Sequence, residues 1–441
     1  MLNKNWSHRQ GAVADRLAAE LIDAIVSGRL LPGTLLPSQR SLAKSAGTSR
    51  TTVAAALDDL SRRRWIEPRR NARCVARLPD AGHQGLSPVH ALSDSPRERA
   101  RVAAPAAELS AAYTRAHRRL HQHLHGDGRV RGGLVELRKL VAERYSESGL
   151  ATTAQQVTIT NGAMGAWVAT LDATKGTVLV EDPTYHGALE HLRRRRRRLV
   201  GWQRSSPWDL DALATLVKTH RPRLVYAVPD FHNPTGQLAS DEERASLAAF
   251  GSRTMIVVDE TLRDLQLDPN GTLPGHVARF HPNIVTIGGL SKTVWSGLRL
   301  GWLRRPDSPN DSLDAALDAH PVPIIEQLIA IELWPHLNRL IEARCQLLRR
   351  QRDVMIAALS GVGFHAEAPV GGLVCWVDLG HPIAESVAFR MNAEGHSIAP
   401  GQRFSPSGSY RTHVRLPFTT SVEEMGDMAE ALRRQVLTEV E

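Results

Sequence analysis

The stretch GGLSKTVWSGLRLGW, residues 288–302, sets an amine, Lys292, among small and hydroxyl residues, with a guanidinium, Arg299, seven positions later. An amine so placed can form a Schiff base with an aldehyde, and an arginine beside it can hold a phosphate, so the pair reads as a site for a phosphorylated aldehyde. Four other stretches end strand-like apolar runs in complementary chemistry. VTITNGAMGA closes in a glycine turn feeding a helix, where the amides of Gly162, Ala163 and Met164 can cradle a phosphate. VLVEDPTYHG puts the flat ring of Tyr185 just past a strand, and YAVPDFHNPTG offers Asn233 as a donor beside the turn forced by Pro234 and Gly236. MIVVDETLRDL ends in the carboxylate of Asp259.

The elements that must position these groups alternate. Strand-like VTIT, TVLVED, LVYAVP, MIVVDE and IVTIGG are separated by helical patterns such as AMGAWVATLDAT and DEERASLAAFGS. That alternation predicts an α/β fold, a mostly parallel sheet covered by helices on both faces, with ligands outside the carboxyl ends of the strands. Singly, each feature has a bland alternative: NPTG turns are common as plain structure, Tyr185 can be core, and a lone aspartate is more often a helix cap. Together they meet the five demands of pyridoxal 5'-phosphate, which needs an amine for its aldehyde, a carboxylate for its ring nitrogen, a donor for its phenolate oxygen, a face for its ring, and amides and cations for its phosphate.

The front of the chain is built for another task. AVADRLAAELIDAIVSG places Leu17, Leu21, Ile25 and Val26 on one helical face. LLPGTLLPSQRSLAKSAG predicts a second helix capped by Ser38 and ending near Gly47, and TSRTTVAAALDDLSRRRW a third that starts at Thr48 or Ser49 with Val53, Leu57 and Leu60 inward. Two helices about a short glycine turn form a helix-turn-helix, which puts Ser49, Arg50, Thr51 and Thr52 at the start of a recognition helix and Arg40 across the backbone. IEPRRNARCVARLP then reads as a two-stranded wing carrying Arg69, Arg70 and Arg73. Residues 1–78 hold +8 of the net charge of +9, the localisation that counterion release on double-stranded DNA requires. Residues 79–106, rich in Pro, Ser, Ala and charge, read as a linker between a first domain, 1–78, and a large second domain, 107–441.

LPSQRSLAKSAGTSRTTVAAALDDL resembles the DNA-binding domain of GntR-type bacterial regulators over residues 13–77. From about residue 108 onward the strand-end motifs are similar to those of fold-type I aminotransferases, and the whole resembles a MocR-type regulator. That likeness implies that Lys292 carries pyridoxal phosphate, Asp259 pairs with its ring nitrogen, Asn233 contacts its phenolate oxygen and Tyr185 stacks on its ring. It also implies that Ser291, Arg299 and the amides of Ala163 and Met164 hold the phosphate, and that Arg415 in HVRLPFT takes the carboxylate of an amino-compound effector. It further implies a homodimer, with each winged helix packed on the partner's large domain.

Departures from the family pattern fall at four places. The first domain has Arg64 where a glycine is usual, and RRNAR where the wing tip is usually glycine-rich. The tyrosine often found just past the ring-binding aspartate is replaced by Glu260, Thr261 and Leu262, leaving Thr261 as the hydrogen-bonding group there. Gly289 stands where a phosphate-holding hydroxyl is common. These losses favour a sensor over a working aminotransferase; a regulator that has lost its cofactor is a third reading. Arg193–Arg198 form either a solvated patch at a helix end or an extra DNA phosphate strip. Three scattered cysteines suggest neither a disulfide framework nor a metal site, and the sequence has no signal-peptide pattern and no apolar run long enough to span a membrane, so a cytoplasmic protein is expected.

Overall fold

The computed structural model describes residues 6, 12–26, 30, 34–63, 65–69, 73–76, 106–305 and 310–440. Arg64, Arg70 and the linker residues 79–105 lie outside the described residues.

The first unit is three helices and a hairpin: α1 (Val13–Val26), α2 (Gln39–Ala46), α3 (Arg50–Arg62), β1 (Ile66–Arg69) and β2 (Arg73–Ala76). Leu17, Leu21, Ile25, Leu42, Val53, Leu57 and Leu60 meet in one buried core, so the helical spacing read from the sequence is the packing face. Gly47 closes α2 at φ 61°, a left-handed cap that glycine adopts without strain, and its amide donates to the Ala43 carbonyl. Ser38 and Ser49, not Thr48, start α2 and α3, accepting from the amides of Ser41 at 3.2 Å and Thr52 at 3.0 Å. The β1–β2 hairpin is antiparallel and gains a third contact where Leu35 bridges Val75.

The large unit is an α/β layer. Its seven-stranded sheet contains β3 (Val157–Asn161), β4 (Val178–Asp182), β5 (Leu199–Gln203), β6 (Leu224–Ala227), β7 (Met255–Asp259), β8 (Ile284–Gly289) and β9 (Leu300–Arg304), in the spatial order β3-β9-β8-β7-β6-β4-β5. All neighbouring pairs are parallel except those of β9, which runs antiparallel to both β8 and β3. Strand β9 went unread in the sequence, because LGWLR follows the lysine stretch without an intervening helix. The strands are buried on both faces, as a sheet covered by helices on each side requires. One face packs on a cluster that includes Leu137, Val141, Trp202, Trp302 and Leu328, the other on Trp167, Leu189 and Leu192.

A smaller antiparallel sheet, also unread in the sequence, follows the long helix Leu337–Gly361. It is formed by β10 (Val374–Asp378), β11 (Ala399–Pro400) and β12 (His413–Pro417), in the order β10-β12-β11. Between β10 and β11 lies a helix, here α4 (Ala384–Ala393), and the chain ends in Val422–Val440. Among the described residues no helix is long and apolar enough to cross a membrane.

One close backbone approach in the large unit is between three glycines. Gly289 of β8 pairs with Gly301 of β9, and the first residue of the helix Gly162–Ala173 lies directly over them. A Cβ on Gly301 would fall 2.5 Å from the Gly162 carbonyl carbon and 2.6 Å from the Ala163 nitrogen, both backbone atoms that cannot rotate away. Gly301→Ala is therefore expected to destabilise the chain by about 1–3 kcal/mol through overpacking. Gly426, inside the last helix with nothing within 4 Å of an added Cβ, should respond to Ala in the opposite sense, by about 0.5–1 kcal/mol. Urea unfolding of the two variants beside the parent measures both signs.

Candidate functional site

A cavity of about 260 Å³ opens at the carboxyl ends of β3, β4, β7 and β8. Nine groups singled out from the sequence line it: Ala163, Met164, Tyr185, Asn233, Asp259, Thr261, Ser291, Lys292 and Arg299. Arg415 enters its wall from β12, so the smaller sheet supplies what the larger one lacks.

Asp259 ends β7 and is 4 % exposed. Its Oδ1 accepts the Thr261 hydroxyl at 2.6 Å and the Thr261 amide at 3.0 Å. Its Oδ2 accepts the Tyr226 hydroxyl at 2.7 Å. Burial raises the carboxyl's pKa, while these three bonds and the charge of Lys292 pull it back toward the ionised form. Thr261, read as a contact for a phenolate oxygen, thus has its hydroxyl committed to Asp259. Tyr226 was not foreseen: it sits on the fully buried strand β6, where an aromatic residue reads as core, and its ring does pack against Trp167 at 4.6 Å.

Asn233 follows a second buried polar group. Glu181 pairs with Arg204, both side chains fully buried, and accepts the Val228 amide at 2.7 Å. Burial pushes the Glu181 carboxyl up to about 7 against the pull of Arg204. His232 stands 3.5 Å from Glu181 and meets the Thr235 hydroxyl at 2.8 Å, which fixes the turn carrying Asn233. The Asn233 side-chain Oδ1 is buried with no hydrogen-bond partner. An asparagine's oxygen and nitrogen are interchangeable by a flip, so this amide can present either to a ligand.

The helix Gly162–Ala173 begins at the cavity with no side-chain cap on its first turn. Its leading amides are therefore available to an anion, and the helix dipole favours one. Arg299 adopts a left-handed φ of 49° at the end of a short 3-10 turn, immediately before β9. A non-glycine residue there is strained, and such strain concentrates at ligand sites. Gly289 also lines the cavity, and a Cβ on it would come 3.0 Å from the Leu300 carbonyl oxygen. A side chain at that position would require β9 to give by a few tenths of an ångström, while the helix start, 3.8 Å away at the Ala163 nitrogen, would be in ordinary contact.

The sequence of the large unit matches the aminotransferase class I and II family over residues 103–432. The chain belongs to that family. Residues 13–75 match the bacterial regulatory proteins of the gntR family, which makes this a GntR-type regulator with an aminotransferase-like domain. The chain is 26% identical over 464 residues, 93% of each chain, to the HTH-type transcriptional regulator TauR of Rhodobacter capsulatus. It is 29% identical over 321 residues, 68% of this chain and 78% of the other, to a 2-aminoadipate transaminase of Thermus thermophilus. In fold it resembles the solved α-aminoadipate aminotransferase LysN of Thermus thermophilus, with a TM-score of 0.69 and 24% identity over 80% of this chain and 98% of that one.

Aminotransferases of this class use pyridoxal phosphate, and the cavity fits it on two observations of its own: the unpartnered side-chain oxygen of Asn233 and the uncapped helix start held against Gly301. His186, missed in the sequence because it directly follows Tyr185 as an ordinary helix residue, lines the same wall and meets Phe404 edge-on at 5.4 Å. Among the described residues, Tyr185 is the one tyrosine lining the cavity.

The second functional face is the start of α3. Ser49, Arg50 and Thr51 are exposed and Thr52 half-buried. The Ser49 hydroxyl meets those of Thr51 and Thr52 at 2.7 and 2.8 Å. Arg40 and Arg50 are exposed and have no acidic partner among the described residues, whereas Arg62 and Arg63 at the far end of the helix pair with Asp58 and Asp59. The unneutralised charge therefore lies at the end that would face DNA.

The run Arg193–Arg198 is largely consumed within the fold. Arg193 donates to the Ser405 carbonyl at 2.8 Å, Arg194 pairs with Glu190, and Arg195 pairs with Asp172 at 2.8 Å. Arg197 donates to the carbonyls of Leu171 and Thr174, closing the end of the helix Gly162–Ala173. The helix carrying the run stops at Arg194, and Arg196 turns left-handed at φ 51°, so the arginines do not ring one helix end.

Removing the Tyr226 hydroxyl isolates one buried bond. Tyr226→Phe should cost about 1.5–3 kcal/mol of unfolding free energy at pH 7, the usual worth of a bond to a charged group. Because the bond favours the ionised carboxylate, its contribution is present above the folded-state pKa of Asp259 and is lost as pH falls through that value, which lies above 3.8. Urea unfolding of both proteins across that range would expose an error: a gap that widened on acidification contradicts the assignment.

Proposed function

We propose that this chain is a cytoplasmic regulator of transcription that binds pyridoxal phosphate at Lys292 and changes its grip on DNA when an amino compound occupies the same cavity. The observation that carries this reading is the joining, in one chain, of an exposed basic helix start with a cavity in which Lys292, Asp259 and Arg415 converge. The cofactor, when bound, supplies an electrophilic aldehyde carbon. Asp259 holds a proton on the ring nitrogen, Asn233 donates to the phenolate oxygen, and Tyr185 covers the ring. Ser291, Arg299 and the amides of Ala163 and Met164 hold the phosphate. Arg415, fixed over the Phe404 ring at 5.3 Å, receives the effector's carboxylate as a bidentate fork.

Sensing is favoured over turnover by one feature of the cavity. No tyrosine follows Asp259 in its turn, and the hydroxyls of Thr261 and of the neighbouring Tyr226 are both bonded to that carboxylate, so the second donor to a phenolate oxygen is missing. A working aminotransferase remains the second reading, supported by the otherwise complete set Asn233, Asp259, Lys292, Arg299 and Arg415. In either reading the chain acts as a homodimer in which each winged helix docks on the partner's large domain, a swap that residues 79–105 are long enough to permit.

At the DNA face, Ser38, Arg40, Ser49, Arg50, Thr51, Thr52 and Arg70 contact the duplex, with the α3 start in the major groove. Arg50→Ala is expected to weaken binding to a DNA fragment from the gene's own upstream region by about 1–3 kcal/mol, with or without cofactor. Lys292→Ala is expected to lose the long-wavelength absorbance that pyridoxal phosphate gives with the parent, and to lose any change in DNA affinity on titration with the twenty standard amino acids and simple primary amines. Fluorescence anisotropy with labelled DNA, beside the visible spectrum, reads both. An amino-acid response undiminished in Lys292→Ala would sink the sensing reading, and steady transfer of amino groups to a keto acid would favour the enzyme.

A further inference from the structure

The winged-helix core is closed by a residue from the far end of the chain. Among the described residues, Phe389 is the one hydrophobic residue from beyond residue 76 that packs against that core. It meets Trp65 edge-on, ring centroids 6.1 Å apart at 79°. Trp65 is 6 % exposed and stands where α3 ends and the wing begins; its amide donates to the Leu60 carbonyl at 2.8 Å, and Ile66 opens β1. Any movement of Phe389 is therefore delivered at the junction of the recognition helix and the wing.

Phe389 belongs to α4, which otherwise serves the smaller sheet. Ala384, Val387, Ala388 and Met391, spaced as one helical stripe, are buried in that sheet's core, and Phe389 lies off the stripe. The chain then passes through Ala399, paired with Arg415 across β11 and β12, into the short 3-10 turn Gly401–Phe404. The Phe404 ring carries the Arg415 guanidinium at 5.3 Å and touches His186 on the cavity wall. An unbroken line of packed groups thus runs from the arginine in the cavity to the base of the wing.

We infer that α4 is the element that couples the cavity to the winged helix, and that the Phe389–Trp65 contact is its readout, so that a carboxylate held by Arg415 alters DNA affinity through this pair. This rests on the sensing reading given above. Contiguity alone does not establish coupling; a differential effect of the ligand on DNA affinity does. The contact is seen within one chain; in the swapped dimer proposed above the same two residues would meet between protomers.

The test uses the full chain and a probe that needs no turnover, N-(5'-phosphopyridoxyl)-L-leucine, which carries both the cofactor's phosphate and an α-carboxylate. The DNA dissociation constant is measured with pyridoxal phosphate and with the probe, and their ratio is compared between parent and Phe389→Ala. The parent ratio is expected to depart from one by about 5-fold or more, a usual size for a coupled pair of sites. In Phe389→Ala the ratio should fall to within about 2-fold of one, while absorbance shows the probe still bound and DNA still binds. Phe389→Leu, which keeps apolar bulk without the ring edge, should lie between. A parent-like ratio in Phe389→Ala overturns the inference. A parent ratio of one, with the probe bound, overturns the sensing reading itself.

Discussion

A carboxylate buried at the carboxyl edge of a parallel sheet is the constraint around which the large unit is arranged. Asp259 can stay ionised there only if its lost hydration is replaced, and three protein donors and one cation do so: Tyr226, the amide and hydroxyl of Thr261, and Lys292. Each comes from a different place in the chain. Tyr226 requires β6 beside β7, Thr261 requires a turn immediately past the strand, and Lys292 requires β8 as the next neighbour. Losing strand order would strand an unpaired charge, so the sheet's register and the cavity's electrostatics are specified together.

The phosphate end obeys a steric constraint instead. For helix amides to act on an anion at the strand edge, the helix start must sit against β8 and β9, and a side chain at 301 would hold it away. The sequence reading took Gly289 as a lost phosphate ligand. The clearance comes from its partner across the strand pair: Gly301 lets the helix start approach, and the backbone amides there carry the helix dipole toward an anion. The two constraints, charge at one end and clearance at the other, separate the roles of Asp259 and Gly162–Met164 across a single cavity.

What was legible in the sequence is what local chemistry determines. Strand-end residues such as Asn233, Asp259 and Lys292 stand out because a turn or helix must follow the strand, and Ser38, Gly47 and Ser49 because caps demand particular side chains. What was not legible depends on distant pairing. Tyr226 reads as core until β7 is known to lie beside β6, and β9 hides because its antiparallel run needs no crossover helix. The small sheet went unread because its three strands are short and joined through α4, and Phe389 looks like any partly buried helix residue until the winged helix is placed against it. The arginine run is solvated, as a block of like charges reads, with Arg193, Arg194, Arg196 and Arg198 exposed; what the sequence does not show is that four of the six are also tied to carbonyls or carboxylates of their own unit.

That internal use of the arginines narrows where DNA can be held. With Arg193, Arg194, Arg195 and Arg197 engaged and the remaining charge of the large unit nearly balanced, the excess positive potential is concentrated on the first 78 residues. A single winged helix of that size offers few unpaired cations on its described surface, Arg40, Lys44 and Arg50 among them, and few phosphate contacts give modest affinity with a shallow dependence on salt. Tight binding at physiological salt then needs two copies engaging two half-sites, so the spacing between winged helices becomes a determinant of affinity in its own right. On the coupling inferred above, a displacement of α4 would act by changing the spacing of two recognition helices along the duplex.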